Sequence, residues 1–160
     1  MASDMFLKID NVEGEAQDKH GHGGEIEVIS WGWNLFNTGS AHRGVGAGTG
    51  KVDIKDLEFT KYLDKSTPTL IKALCTGTHF NKAVLTVRKA GGEKPLEYLK
   101  IILEGLIVSS YTTGRLANEE VITETVGLNF TKFTVEYTPQ DAKGNAAGKA
   151  ECNYIIPANK

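Results

Sequence analysis

The sequence predicts a mainly β fold: a small, closed or nearly closed antiparallel β-barrel with one flanking α-helix and a long extended loop. Apolar residues alternate at a period of two through most of the chain, the spacing of half-buried strands. That alternation changes phase in three places, and one short segment instead carries helical spacing with matched ends. A period of two cannot change phase without an extra residue or a bend. Three such slips predict strongly bent strands, as in a small barrel.

In chain order, residues 6–9 open as a short strand and residues 14–24 form a polar loop. Residues 25–33 begin with apolar even positions, Ile26 and Val28, and continue with odd ones, Ile29, Trp31 and Trp33. The same slip falls between Ile54 and Leu57, and again between Phe130 and Phe133. Thr67 suits a helix cap, Pro68 its first position and Gly77 its exit. Leu70, Ile71, Leu74 and Cys75 make one apolar stripe at helical spacing, expected to plug the barrel. Gly91, Gly92 and Pro95 mark a hairpin turn between strands at residues 83–89 and 96–108. In the second of these, Leu96, Tyr98, Ile102, Leu106 and Val108 share one parity, and Leu99, Ile101, Leu103 and Ile107 the other. A strand apolar on both sides must be covered on both. Leu99, Ile101, Leu103 and Ile107 therefore read as a two-faced interface strand whose second cover is a helix or a neighbouring subunit. After Thr138 the chain is a polar loop, with a last strand near residues 152–156, and residues 1–160 read as a single domain.

Residues 34–50 carry glycine at positions 39, 44, 46, 48 and 50. The spacing argues against the phosphate-binding motifs. A P-loop needs glycine five residues before the Gly50–Lys51 pair and a hydroxyl after it, and Val45 and Val52 stand there. A dinucleotide fingerprint begun at Gly44 ends on Thr49, and one begun at Gly46 ends on Lys51. The segment that follows alternates like a strand, so no helix N-terminus receives an anion. What remains is a long loop that packs by its backbone against something else, or a plain connector.

Composition narrows the function. The chain has 160 residues, 40% apolar and 24% charged, with a formal charge of −2, an ordinary soluble profile without the basic patch of a nucleic-acid binder. No apolar run approaches the roughly 20 residues that span a bilayer, so no membrane insertion is expected. The N-terminus lacks a secretory signal. Cys75 and Cys152 show no metal or redox spacing. Cys75 is expected to be buried, both thiols free, and synthesis cytoplasmic.

Chemistry is sparse. His20 and His22 have no nearby third ligand and read as solvated loop histidines, and His42 and His79 are isolated. Glu13, Glu15 and Asp18 form an acidic cluster, read as solvated, without calcium-loop spacing. Ser109–Ser110 has no partner base. No catalytic residue, cofactor or metal is expected, and the chain does not read as an enzyme.

Taken together, several segments resemble one family. They are residues 4–9, Gly14–Glu15, residues 25–33, the glycine loop with Gly50, Lys51 and Val52, and residues 59–68. Residues 87–92, 97–100, 108–110 and 128–130 complete the set, in order over nearly the whole chain. The pattern is similar to that of the haemolysin-coregulated proteins (Hcp), the tube proteins of bacterial type VI secretion systems. The resemblance implies two antiparallel sheets closed into a barrel with one flanking helix. It also implies a homohexameric ring with a central pore, and rings stacked into the inner tube of a contractile injector. Implied partners are further copies of the chain, a tip spike protein, the contractile sheath and small effector proteins held in the pore. The chain would then be made in the cytoplasm and secreted without a signal peptide.

By position, the resemblance makes the loop from Asn34 to Gly50 the candidate for ring stacking and subunit contact, through Asn34, Thr38, Ser40, His42, Arg43, Gly44, Gly46 and Gly48. Where the family commonly shows Trp-Ser-Trp, this chain has Trp31, Gly32 and Trp33. Alternation puts residue 32 on the face opposite both indoles, which makes Gly32 a pore-facing candidate or an accommodation of strand curvature. Beyond Tyr137 the match is looser, and any effector is expected to be carried rather than fused. Two other readings share the sequence features: a phage-like tail-tube subunit, and a hydrolase or binding protein with a site at the barrel mouth. The last predicts a deep pocket with clustered perturbed groups.

Overall fold

A computed structural model of the chain describes residues 3–39, 50–89 and 93–160. Ten strands and one helix follow one another. They are β1 (Ser3–Ile9), β2 (Ile26–Glu27), β3 (Ser30–Gly32), β4 (Leu35–Asn37), β5 (Val52–Ile54), β6 (Leu57–Tyr62), α1 (Ser66–Thr76), β7 (His79–Lys89), β8 (Glu97–Gly114), β9 (Thr123–Tyr137) and β10 (Ala150–Ile155). Eight strands make one antiparallel sheet in the order β2-β1-β7-β8-β9-β6-β3, with β10 paired to β9. The second sheet is the β4–β5 hairpin alone. The large sheet curls into a half-barrel around a core that includes Leu7, Ile26, Phe59, Leu85, Leu106 and Leu128.

The first phase slip marks where this half-barrel is tied together. β2 and β3 are two halves of one run, residues 26–32. Its start pairs with β1 (Leu7↔Ile26) and its end with β6 (Ser30↔Thr60). At the crossing, the Val28 amide donates to the Met5 carbonyl at 2.9 Å and the Ile29 amide to the Thr60 carbonyl at 2.8 Å. Ile26 and Val28 are buried, Ile29 turns outward, and Trp31 and Trp33 pack against the core. The second slip, Ile54 to Leu57, is where the chain leaves the hairpin for the large sheet.

The third slip belongs to a corner that crosses three strands. Register places Ala83, Leu103 and Phe133 side by side, and Phe80, Leu106 and Phe130 side by side; all six are buried. Between the two rows every strand changes the parity of its inward residues. Gly105 sits there in β8 with φ of +58°, a left-handed conformation that side chains rarely adopt. A Cβ at this position would lie 2.3 Å from Thr131 Oγ1.

That corner corrects the two-faced reading of residues 96–108. Odd residues point inward before Gly105 and even residues after it, so the inward apolar face switches parity. Ile101 (2% exposed) and Leu103 (1%) lie in the chain's own core, and Leu99 packs partly against it. Tyr98 and Ile102 before the glycine and Ile107 after it face outward and are half-buried. Leu99, Ile101 and Leu103 need no neighbouring subunit to cover them.

The helix also differs in detail. It begins one residue before Thr67, and the Asp64 carboxylate accepts from the Ser66 amide at 2.8 Å, while Thr67 Oγ1 accepts from the Asp64 amide at 3.2 Å. Gly77 ends it with φ of 64°, as its position predicts. The buried face is Ser66, Thr67, Leu70 and Ala73, with Leu74 partly packed. This stripe is rotated from the expected one, so Ile71 and Cys75 are exposed rather than buried. The expected turn at Gly91 and Gly92 lies outside the described residues. Across it the Lys89 amide donates to the Leu96 carbonyl at 3.0 Å.

Candidate functional site

The β4–β5 hairpin is joined to the half-barrel by a hydrogen-bonded root. Trp33 supplies that root. Its indole Nε1 donates to the Lys55 carbonyl at 2.9 Å, and the Lys55 amide donates to the Asn34 carbonyl at 3.0 Å, joining the two legs. The indole meets Phe133 edge-on at 4.9 Å and Phe130 at 5.8 Å, so it anchors the hairpin to the corner. Beyond the root, Leu35 is 43% and Phe36 55% exposed. As consecutive strand residues the two point to opposite faces of the hairpin, and Leu35 lines the cleft beside it. A cleft of about 520 Å³ opens between the hairpin and β10, bordered by Leu35, Ile54, Phe133 and Tyr154.

Of the loop candidates, Asn34 and Thr38 lie on this hairpin and are exposed. Ser40, His42, Arg43, Gly44, Gly46 and Gly48 fall outside the described residues. Gly32 shares an open concavity of about 430 Å³ with Asn34, Lys55, Asp56 and Glu58. It lies on the outer face, and a Cβ there would meet nothing within 4 Å. Ile101 and Leu103 belong to the core and Leu99 packs partly against it, away from this surface.

The outer face around Gly32 has a chemical character that the sequence order conceals. Ser30, Thr60, Thr125 and Thr112 stand in one transverse row across β3, β6, β9 and β8. Thr60 Oγ1 and Thr125 Oγ1 are 3.1 Å apart. The adjoining row is Gly32, Glu58, Gly127 and Ser110. Close by, Asp56 accepts from Ser109 Oγ at 2.6 Å and from Asn129 Nδ2 at 2.8 Å. Small hydroxyls, with few large side chains, make this a smooth polar wall.

Two buried polar clusters escaped the sequence reading. In the first, residues 14–25 fold over the outer face of β1 and β7 and are no free loop. The Arg88 guanidinium, 4.8 Å over the Phe6 ring, donates to Asp18 Oδ2 at 3.0 Å from Nη1 and to Asp4 at 3.3 Å. The bond from Arg88, helped by the amides of His22 and His20, outweighs burial and holds the Asp18 carboxyl well below the usual carboxylate range. The same pair pushes Arg88 upward against burial. His22 stacks on Phe6 at 4.8 Å, with Nδ1 2.7 Å from Glu25 Oε2 and Nε2 2.5 Å from Glu97 Oε1. Burial works to raise the Glu97 carboxyl, but the contacts to His22 and Lys100 together bring it below its ordinary value. Asp18 and His22 are thus structural, not solvated.

The second cluster pins α1 to the sheet. Lys61 and Glu124 are cross-strand partners, both fully buried and in contact. The Lys61 ammonium also donates to Asp64 at 2.9 Å and to Thr67 at 3.2 Å, and Thr67 Oγ1 donates to Glu124 at 2.6 Å. Tyr111 donates to the other Glu124 oxygen. Burial first, and this carboxylate second, push the Tyr111 phenol up to about 12. Neither cluster borders the cleft or the concavity beside the hairpin.

The shifted groups Asp18 and Arg88 line a concavity of their own, away from the hairpin, and the curled antiparallel half-barrel with one helix and a small second sheet defines a β-rich structural protein. Comparison with known proteins agrees. A family model described as "Type VI secretion system effector, Hcp" matches residues 6–137. The chain is 51% identical over 148 residues to Protein hcp1 of Pseudomonas aeruginosa, covering 92% of this chain and 91% of that protein. Hcp1 from Salmonella typhimurium superposes with a TM-score of 0.81 at 38% identity, over 100% of this chain and 99% of that one. A solved type six secretion system protein does so at 0.91 with 30% identity, over 99% of each chain. The chain belongs to the Hcp family of type VI secretion proteins.

Proposed function

We propose that this chain is the building block of a type VI inner tube. Six copies close into a ring with an open centre, rings stack through the hairpin, and the tube is driven by a contractile sheath behind a tip spike. The observation that carries this reading is the β4–β5 hairpin, which holds Leu35 and Phe36 in solvent on a root bolted to the core. A closed ring uses two different surfaces of one chain, and stacking requires a third. The glycine-rich connection between β4 and β5 permits close backbone approach and loses entropy when ordered, which keeps stacking weak and reversible. The wall around Gly32, with the Ser30–Thr60–Thr125–Thr112 row, faces the bore. Its small polar groups hold small effector proteins loosely enough to release them. The chain acts as a single domain without cofactor or catalytic group, and leaves the cytoplasm with the tube. No described helix is long and apolar enough to cross a membrane.

Native mass measurement with electron microscopy of the same sample tests the reading. Six-fold rings with an open centre are expected. Shortening residues 39–50 should leave rings intact and weaken their stacking. A compact monomer at high concentration would overturn the tube reading, and loss of the ring in the shortened variant would overturn the role given to the hairpin.

A further inference from the structure

Stacking by a projecting apolar hairpin demands a receiving surface on the next copy. We propose that the seat is the β8–β9 turn, which exposes Leu116, Val121 and Ile122, with the exposed Leu63 hydrogen-bonded to Ile122; this rests on the tube reading above.

Three observations lead there. The first is position. The hairpin root lies at the Leu57 end of β6, where the Lys55 amide meets Asn34. The turn lies at the other end, where Tyr62 pairs with Thr123 and the Leu63 amide donates to the Ile122 carbonyl at 3.3 Å. Five strand steps of about 3.3 Å separate them by roughly 17 Å. Head-to-tail stacking needs donor and receiver at opposite ends, as these are.

The second is exposure without disorder of pairing. Leu116 is 71% and Val121 52% exposed, and Leu63 and Ile122 are exposed beside them. Yet the turn is internally bonded: the Glu119 amide donates to the Leu116 carbonyl at 3.0 Å and Arg115 Nε to the Glu119 carbonyl at 2.5 Å. It is a preformed apolar surface rather than a loose connector.

The third is charge. Residues 38–51, which join β4 to β5, contain Arg43 and Lys51 and no carboxylate. The turn carries Glu119 and Glu120 against Arg115. A basic donor and an acidic rim around an apolar seat fix orientation and disfavour like ends meeting. One such contact is small, but a ring repeats it at every subunit, and linked contacts multiply.

Cross-linking tests the pairing. In a Cys75→Ser, Cys152→Ser background, since both native thiols are exposed, Phe36→Cys is combined with Leu116→Cys, Val121→Cys or Ile122→Cys. Mild oxidation of concentrated protein should yield covalent species larger than one ring. The yield should be at least about tenfold above Phe36→Cys with His79→Cys, since only the seat is held at high local concentration. Because cysteine itself trims the apolar contact, charge reversal gives a second readout. Glu119→Lys with Glu120→Lys should reduce stacking, and adding Lys51→Glu should restore part of it. Rings that stack by microscopy yet cross-link at none of the three positions would overturn the seat while leaving the tube reading standing. Unchanged stacking after charge reversal would also count against the seat. Parent protein that forms neither rings nor stacks would overturn both.

Discussion

Replacing Gly105 by alanine tests the corner that bends three strands at once. The backbone there has φ of +58°, and holding an L side chain in that region costs about 1–2 kcal/mol. The new methyl would stand 2.3 Å from Thr131 Oγ1. The hydroxyl must swing away, giving up its 3.0 Å bond to the Glu104 carbonyl, worth about 0.5–1.5 kcal/mol. Together these predict a loss of about 1.5–3.5 kcal/mol, a large share of a typical 5–15 kcal/mol stability. Urea unfolding of both proteins, at a concentration where their assembly state is the same, measures it. Thr131→Ala removes the clash as well as the bond. Gly105→Ala should therefore cost about 1–2 kcal/mol in that background, leaving a coupling of about 0.5–1.5 kcal/mol. A Gly105→Ala protein within about 0.5 kcal/mol of the parent would refute the corner, as would an equal cost with and without Thr131.

Two further outcomes follow from the buried clusters. Lys61→Met leaves the Glu124 carboxylate buried without its cation and should cost about 3–5 kcal/mol, whereas Lys61→Met with Glu124→Leu should recover most of it; equal denaturation midpoints for the two variants would contradict this. Asp18, whose folded pKa is depressed, stabilises the fold fully above its unfolded value near 3.9 and loses that contribution only as pH falls towards the folded value. Asp18→Asn should therefore be less stable than the parent at neutral pH, with the gap closing in acid below about pH 4. A gap that does not change with pH in a stability titration would refute the pairing with Arg88.

Much of the fold was legible because side-chain parity survives in a single sequence. The slip at Val28–Ile29 announced a bend, and the bend proved to be the place where one strand changes partner. Residues 96–108 misled for the same reason. A parity switch at a left-handed glycine looks, in one dimension, like a strand apolar on both faces. Gly105 in the middle of that run, with the matching Phe80–Ala83 and Phe130–Phe133 changes, was the signal that distinguishes the two. The helix stripe was rotated because Ser66 and Thr67 are buried by hydrogen bonds to charged partners, which apolar spacing cannot report. Asp18 with Arg88, and Lys61 with Glu124, join residues about 60–70 positions apart, as strand pairing typically does. At the candidate site, the glycine loop pointed to the hairpin, but Phe36 passed unnoticed because an exposed aromatic and a buried one have the same name. The hydroxyl wall was invisible until register set Ser30, Thr60, Thr125 and Thr112 in line.

The hairpin root has a mechanical consequence. Its legs run straight into the half-barrel: β4 follows β3 after Trp33 and Asn34, and β5 leads into β6 through Lys55 and Asp56. β3 and β6 are each other's partners, and β6 lies along β9 through six residue pairs. Tension applied at the hairpin therefore draws two paired strands along their own axes in the same direction. Ladder hydrogen bonds lie across that axis, so the load falls on them together, in shear, rather than unzipping them one by one. A pull on the hairpin passes directly into β9, and Trp33, wedged between the legs and the Phe130–Phe133 pair, ties the two strands together under it.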